Sequence, residues 1–330
     1  MHQSEILISS SVTSVLLSEL AKRVVIIVDE NVGAQPWMEG FDLILLAASE
    51  SSKTCEQKAR IENILLERGY GSDLFLVAVG GGVTTDLVGF VAATFCRGVP
   101  WMAVPTTLVG MIDAAIGGKT GVNTPWGKNL IGALHPPQSV WIDLNFLKSL
   151  PKKEWVNGIA EMIKYGCIGS LSLLEQLEKD VPPESMIQTC IQMKMEIVAQ
   201  DHRDRGYRRI LNFGHTVGHA LEHVTQYLLS HGEAIALGMR VEADLSCEMG
   251  FLPVDALARL NALLNRYSFP RTLPSTDEEL IASMCIDKKS MCGEPRFVML
   301  KSLGSPVPFD GDYCAPVSEI VLKRVLQRWR

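Results

Sequence analysis

Four short apolar runs, at residues 24–28, 41–46, 74–79 and 101–104, recur through the first third of the chain with helical stretches such as 55–68 and 86–95 between them. A strand wetted on one face alternates apolar and polar residues. These runs barely alternate, so both of their faces must be covered, which is the pattern of a parallel sheet flanked by helices. Ligands of such sheets bind at the carboxyl ends of the strands. Those ends carry Asp29-Glu30-Asn31, Gly80-Gly81-Gly82 and Thr106-Thr107.

From Pro151 onward the pattern changes. Residues 152–166, 184–200, 216–228, 233–248 and 254–267 have helical spacing, 270–274 reads as a loop, 296–301 as a short strand and 318–329 as a last amphipathic helix. A chain of 330 residues is long enough for two domains, and the boundary is expected near Leu150-Pro151. With 47% hydrophobic residues the chain can bury a core, and its net charge of −6 without a dense Lys/Arg block argues against nucleic acid as a partner. The eight cysteines, at 55, 96, 167, 190, 247, 285, 292 and 314, form no Cys-x-x-Cys pair, so reduced and mostly buried thiols are expected. The start Met-His-Gln-Ser-Glu has no basic region of a signal peptide, and no apolar stretch approaches a membrane span.

The triple glycine joins a strand to a helix and is suited to approach a diphosphate, since the helix N-terminus offers free N–H groups. Ile116-Gly117-Gly118-Lys119-Thr120 resembles a phosphate loop, but Asp113 stands where the Walker pattern needs glycine, so no ATPase is read. Lys119, Lys128 and Asn129 fall in a Gly-rich, poorly helical stretch that reads as a loop. Glu161 and Lys164 share one helix face, where a surface ion pair is the bland interpretation. Lys194 falls on the apolar stripe of Ile187, Ile191 and Val198, where a charge needs an anionic partner.

The most informative segment is Asn212-Phe213-Gly214-His215-Thr216-Val217-Gly218-His219, followed by His223 and His231-Gly232-Glu233. Histidines four apart project side by side from a helix, as metal ligands do. Without a thiolate set, a zinc site here uses His and carboxylate and is open, hence catalytic. Spacing does not choose among His215, His219, His223, His231, Glu161, Glu222 and Glu233.

Together with 80–90, 104–108, 113–132, 158–166, 208–222, 231–239, Asp287-Lys288-Lys289 and 296–300, these segments resemble the 3-dehydroquinate synthase family over nearly the whole chain. The resemblance implies an α/β, Rossmann-like NAD-binding domain over residues 1–150 and a mainly α-helical metal- and substrate-binding domain over 151–330. It implies Glu161, His215 and His231 as ligands of Zn2+ or Co2+. It implies NAD along Asp29, Asn31, Glu50, Lys53, Gly81, Gly82, Val83, Thr84, Thr85, Asp86, Thr106, Thr107, Lys119, Lys128, Phe146, Leu147, Lys148 and Ser149. The implied substrate, 3-deoxy-D-arabino-heptulosonate 7-phosphate (DAHP), is held by Asp113, Lys119, Asn129, Lys164, Lys194, Arg208, Asn212, His219 and Lys289. Arg97 of a neighbouring subunit reaches its phosphate, so a cytoplasmic homodimer is implied. Two residues depart from the family: Thr85 replaces a glycine at a turn, and Asp204 replaces a glutamate.

The implied reaction is a lyase reaction of the shikimate pathway and aromatic amino acid biosynthesis: oxidation of an alcohol by NAD, phosphate elimination, reduction, ring opening and aldol closure. A substrate with a carboxylate and a phosphate accounts for several cations. The rivals are a related sugar phosphate cyclase, a metal-dependent alcohol dehydrogenase resembling glycerol dehydrogenase, and a non-enzymatic NAD- and metal-binding protein.

Overall fold

The run at Arg23–Asp29 is a strand with both faces covered: Val24, Ile26 and Val28 point to one side, Val25 and Ile27 to the other, and all five are buried. It is one of the strands β1 (Glu5–Ile8), β2 (Arg23–Asp29), β3 (Asp42–Leu46), β4 (Leu74–Gly80), β5 (Trp101–Pro105), β6 (Lys119–Thr124), β7 (Gly127–Leu134) and β8 (Ser139–Ile142). The computed structural model describes residues 4–8, 23–179, 183–286 and 294–330, and the chain forms two units, Met1–Glu154 and Trp155–Arg330. Residues 1–3, which open the reading against a signal peptide, lie outside the described residues, as do Cys292 and the triplet Asp287-Lys288-Lys289 with its candidate Lys289.

In the first unit six strands pair in the order β1-β8-β5-β4-β2-β3, every pair parallel. Val24, Ile26 and Val28 pack with Phe75, Val77, Val79, Met102, Val104 and Trp141 on one face. The α/β sheet expected from the sequence is therefore present, with two strands, β1 and β8, that the apolar runs did not announce. Helices Cys55–Glu67 and Gly82–Thr94 follow β3 and β4 in the chain, the first capped by the Thr54 hydroxyl accepting from the Gln57 N–H.

The stretch read as a loop around Lys119, Lys128 and Asn129 is an antiparallel hairpin of β6 and β7. Its glycines are there because the strands press together: a Cβ on Gly132 would lie 2.0 Å from the Thr120 carbonyl oxygen. The ladder hides little apolar surface, and of β7 no residue is fully buried, so the alternation that marks a strand is missing.

The second unit is mainly helical, as expected. Its principal helices are Lys152–Gly169, Pro183–Gln200, His215–Val224, His231–Glu248, Val254–Arg266 and Glu319–Gln327, joined by two that the spacing did not indicate, Leu171–Leu177 and Asp277–Ile286. Val217, Leu221, Leu237 and Val241 form a core with Leu280, Phe297, Leu322 and Val325. The thiols are less hidden than expected: Cys167, Cys190 and Cys314 are buried, Cys247 and Cys285 half-buried, Cys55 and Cys96 exposed. Among the described residues no helix is long and apolar enough to cross a membrane.

Candidate functional site

Glycine decides where the histidines go. Helices His215–Val224 and His231–Glu248 cross where side chains are missing: a Cβ on Gly238 would lie 1.9 Å from the Gly214 carbonyl oxygen, and one on Gly218 would lie 2.6 Å from Ile235 Cδ1. Gly214 also needs its left-handed backbone, φ 77°, to start the helix. Gly232 lies against Asn157, whose Oδ1 accepts the Gly232 N–H at 2.8 Å. Asn157 is one helical turn before Glu161, so this contact brings His231 over Glu161.

The outcome is a convergent triad. One ligand atom each from Glu161, His215 and His231 lie within 4.8 Å of one another. Glu161 Oε1 is 3.3 Å from His215 Nε2 and 3.0 Å from His231 Nε2. The other ring nitrogens are held elsewhere: His215 Nδ1 by the Phe213 carbonyl at 3.0 Å, His231 Nδ1 by Glu222 Oε1 at 3.2 Å. That arrangement fixes each ring and turns Nε2 toward a common point, as in histidine-ligated metal sites. Of the seven groups that spacing left open, Glu222 thus backs a ligand. His219 stands beside His215 with ring centroids 5.4 Å apart but outside the triad, while His223 meets Ser283 and Glu233 caps Ser230.

Charge is concentrated here. Lys164 and Glu161 form an ion pair that is fully buried, not the surface pair of the bland interpretation. Burial alone would raise the Glu161 carboxyl, but the Lys164 ammonium and His215 hold it well below the usual carboxylate range. Burial opposes charge on His231, yet Glu222 and Glu161 push its pKa up to about 10 in the metal-free chain. Two carboxylates, two imidazoles and a lysine in this arrangement suit a divalent cation displacing a proton.

Lys194 and Arg208 are also buried. Arg208 sits in a turn organised by Asp201, whose carboxylate accepts the N–H groups of Arg205, Gly206 and Arg208 at 2.8–3.1 Å. Its Nη1 donates to the His202 carbonyl at 3.2 Å. Asp204, in the same turn, has a left-handed backbone at φ 56°, a conformation short acidic side chains tolerate. Asn212 ends this segment, half-buried, just before the metal helix.

In the first unit the candidates gather at the strand ends. Gly80, Gly81 and Gly82 make a cradle that side chains would fill: a Cβ on Gly80 would lie 2.4 Å from Thr84 Oγ1, one on Gly81 2.9 Å from Thr107 Cγ2. Helix Gly82–Thr94 begins without a side-chain cap, so its first N–H groups suit an anion. Val83 and the buried Thr84 and Thr85 are in that helix; Thr85 lies in regular helix rather than a tight turn, and its hydroxyl donates to the Gly82 carbonyl at 3.2 Å. Lys53 Nζ meets Asp86 Oδ2 and Asn129 Oδ1, both at 2.5 Å, and Lys128 Nζ is 3.1 Å from Glu50 Oε1. Asn123, which sequence reasoning left without a role, ties these together: its amide donates to Glu50 Oε1 at 2.7 Å and accepts from the Asn129 N–H at 3.1 Å. Asp29 Oδ1 accepts from Asn31.

Thr106 follows β5, Thr107 Oγ1 accepts the Gly110 N–H at 3.1 Å, and Asp113 lies in the π-turn Gly110–Ala114. Phe146, Leu147, Lys148 and Ser149 belong to the 3-10 turn Leu144–Ser149, where Leu147 is buried and Lys148 is exposed. Lys119 is exposed at the start of β6. Arg97 is exposed in a turn where Cys96 and Arg97 are both left-handed, at φ 49° and 66°.

Residues 43–157 match the family described as 3-dehydroquinate synthase N-terminal, and residues 158–290 match 3-dehydroquinate synthase C-terminal. A 3-dehydroquinate synthase of Dichelobacter nodosus is 44% identical over 273 residues, covering 79% of this chain and 74% of the relative. One of Opitutus terrae is 41% identical over 312 residues, covering 89% and 86%. Among solved structures, the 2-epi-5-epi-valiolone synthase of Streptomyces hygroscopicus with NAD+ and Zn2+ bound is 26% identical, with TM-score 0.89 and coverage of 100% and 97%. A probable glycerol dehydrogenase of Sinorhizobium meliloti, 14% identical with TM-score 0.65 and coverage of 99% and 96%, shares the fold alone.

Proposed function

The chain belongs to the 3-dehydroquinate synthase family, and from that membership we propose that it converts DAHP to 3-dehydroquinate and inorganic phosphate. Glu161, His215 and His231 would hold Zn2+ or Co2+; the glycine cradle, the uncapped helix N-terminus and the Glu50, Lys53, Asp86 and Lys128 cluster would hold NAD, with Asp29 and Asn31 beside them. When bound, NAD supplies a reversible hydride acceptor and the metal a Lewis acid for alcohol and ketone oxygens.

The observation that carries this reading is the density of buried cations in the unit that holds the triad. Lys164, Lys194 and Arg208 are each at most 7% exposed. Buried cations in such number suit a substrate with a carboxylate and a phosphate better than a neutral polyol. In this reading Arg208 grips the carboxylate with two parallel hydrogen bonds, and Lys164, Lys194 and Lys289 neutralise the remaining charge. Asn212 and His219 orient hydroxyls, and Arg97 reaches the phosphate from a second copy in a cytoplasmic homodimer.

The test is incubation with DAHP, NAD and Zn2+ while phosphate and NADH are followed together. Phosphate is expected in many-fold excess over NADH, because the same carbon is oxidised and then reduced. NADH accumulating in step with product would favour a dehydrogenase instead.

A further inference from the structure

Helix His231–Glu248 carries a second acidic group that none of the foregoing roles uses. Glu242 is fully buried. Its Oε2 accepts the Gly214 N–H at 2.9 Å and its Oε1 accepts the Thr216 N–H at 3.2 Å. These two donors bracket His215. Helix His215–Val224 starts at a glycine and has no side chain of its own to cap it, so Glu242 supplies from a neighbouring helix the acceptor that an N-terminal Ser or Asp would provide. A carboxylate at a helix N-terminus also meets the positive end of the helix dipole. Thr216 is fastened on its other side, its hydroxyl donating to the Arg296 carbonyl at 2.8 Å.

We propose that Glu242 is a positioning residue for the metal centre: its carboxylate sets the backbone on either side of His215 and thereby aims Nε2 of that ring at the point shared with Glu161 and His231. Glu242 reaches the ring through the two backbone amides and the His215 side-chain bonds, and the same turn fixes the Phe213 carbonyl that receives His215 Nδ1. Loss of the carboxylate therefore frees both the helix start and the ring's second anchor. The proposal rests on the triad being a metal site and not on the identity of the substrate.

The test is titration of the metal-free chain with Zn2+ against a chromophoric chelator, and with Co2+, whose visible absorption reports ligand geometry. Glu242→Gln keeps the size, removes the charge and replaces one acceptor with a donor facing an N–H. It is expected to weaken Zn2+ binding by about tenfold to a hundredfold, the range for partners that orient metal ligands, and to alter the Co2+ spectrum. In a His215→Ala background the same substitution should change Zn2+ affinity little, since the ring it aims is gone. A merely structural role would lower thermal stability while leaving the Co2+ spectrum and the His215 dependence untouched, and that result overturns the proposal. Should Glu242→Gln not fold, Glu242→Asp takes its place. It keeps the charge but withdraws it by one methylene, and in the same titrations weaker Zn2+ binding with an altered Co2+ spectrum supports the proposal, while unchanged binding and spectrum overturn it. A parent chain that takes up no metal overturns the triad reading, and this proposal with it; failure to turn over DAHP touches neither.

Discussion

The two units prepare for their ligands in opposite ways. In the first, Asp29, Glu50, Asp86, Lys128 and Asn129 are half-exposed around strand ends and turns; Glu50 pairs with Lys128, Asp29 with Asn31, and Asp86 and Asn129 meet on Lys53, the one buried charge of the group. In the second, Glu161, Lys164, Arg208 and Glu242 are at most 2% exposed and sit on or beside helices pressed together through glycine. Half-solvated groups exchange partners at little cost, which suits a long, flexible dinucleotide recognised largely through backbone donors. Buried charges must be matched in advance, because removing one member of a buried pair costs about 3–5 kcal/mol. A substitution of equal chemical size should therefore cost much more in the second unit than in the first.

The largest effect is expected from Glu161→Gln, which removes a ligand and the partner of Lys164 together: metal content and activity should vanish, and a drop in melting temperature should accompany them. Retained zinc by elemental analysis would break the comparison at its strongest point. Gly238→Ala places a methyl against the Gly214 carbonyl; overpacking of about 1–3 kcal/mol should appear in chemical denaturation, with reduced zinc occupancy. Arg208→Lys keeps the buried charge but loses the Nη1 bond to the His202 carbonyl, so it should lower stability by about 1 kcal/mol and cost about 1.5–3 kcal/mol of transition-state binding, on the order of tenfold to a hundredfold in kcat/KM for DAHP.

Acidity sharpens the contrast. His231, with its pKa raised to about 10 from 6.5, contributes stability to the metal-free chain that is complete below pH 6.5 and disappears as pH rises through 10. Metal must displace that proton, so apparent Zn2+ affinity should climb by about tenfold per pH unit from neutrality toward 10. A melting temperature that falls over this range without metal but holds with it would fit; identical profiles would not. The smallest effect belongs to the first unit: Asn123→Ala, losing a solvent-screened hydrogen bond to the Glu50 carboxylate and one from the Asn129 N–H, together worth about 1 kcal/mol, should raise the KM for NAD by roughly fivefold and leave kcat alone.

The sheet is legible in the sequence because β2, β4 and β5 are dry on both faces, so their runs hold almost no polar residues to confuse the pattern. The β6–β7 hairpin is not, since its strands are held by backbone contact through Gly121 and Gly132 and only Val122 shows a core-like apolar burial. The helix Leu171–Leu177 is only seven residues long, too short for its period to register. The histidine cluster is visible as spacing, and family resemblance singles out Glu161, His215 and His231. The contact that assembles them, Gly232 on Asn157, joins residues 75 positions apart and leaves no periodic trace. Glu242 does leave one: it lies on the stripe of Ile235 and Met239, both buried, the same anomaly that marks Lys194. A charge on an apolar stripe is a usable signal in both places.

The pairing of β1 with β8 sets a timetable for synthesis. Glu5–Ile8 bonds to Ser139–Ile142, so 130 residues separate the two strands along the chain. At about 5–20 residues per second, the first strand leaves the ribosome on the order of ten seconds before its partner exists. Meanwhile β2, β3 and β4 can pair among themselves, but the edge that β8 will occupy on β5 stays open, with its N–H and C=O groups unmatched. Closing so long a loop is slow. The nascent first unit is therefore most vulnerable to mispairing late in its own synthesis, after its central strands are in place and before residue 142 has emerged.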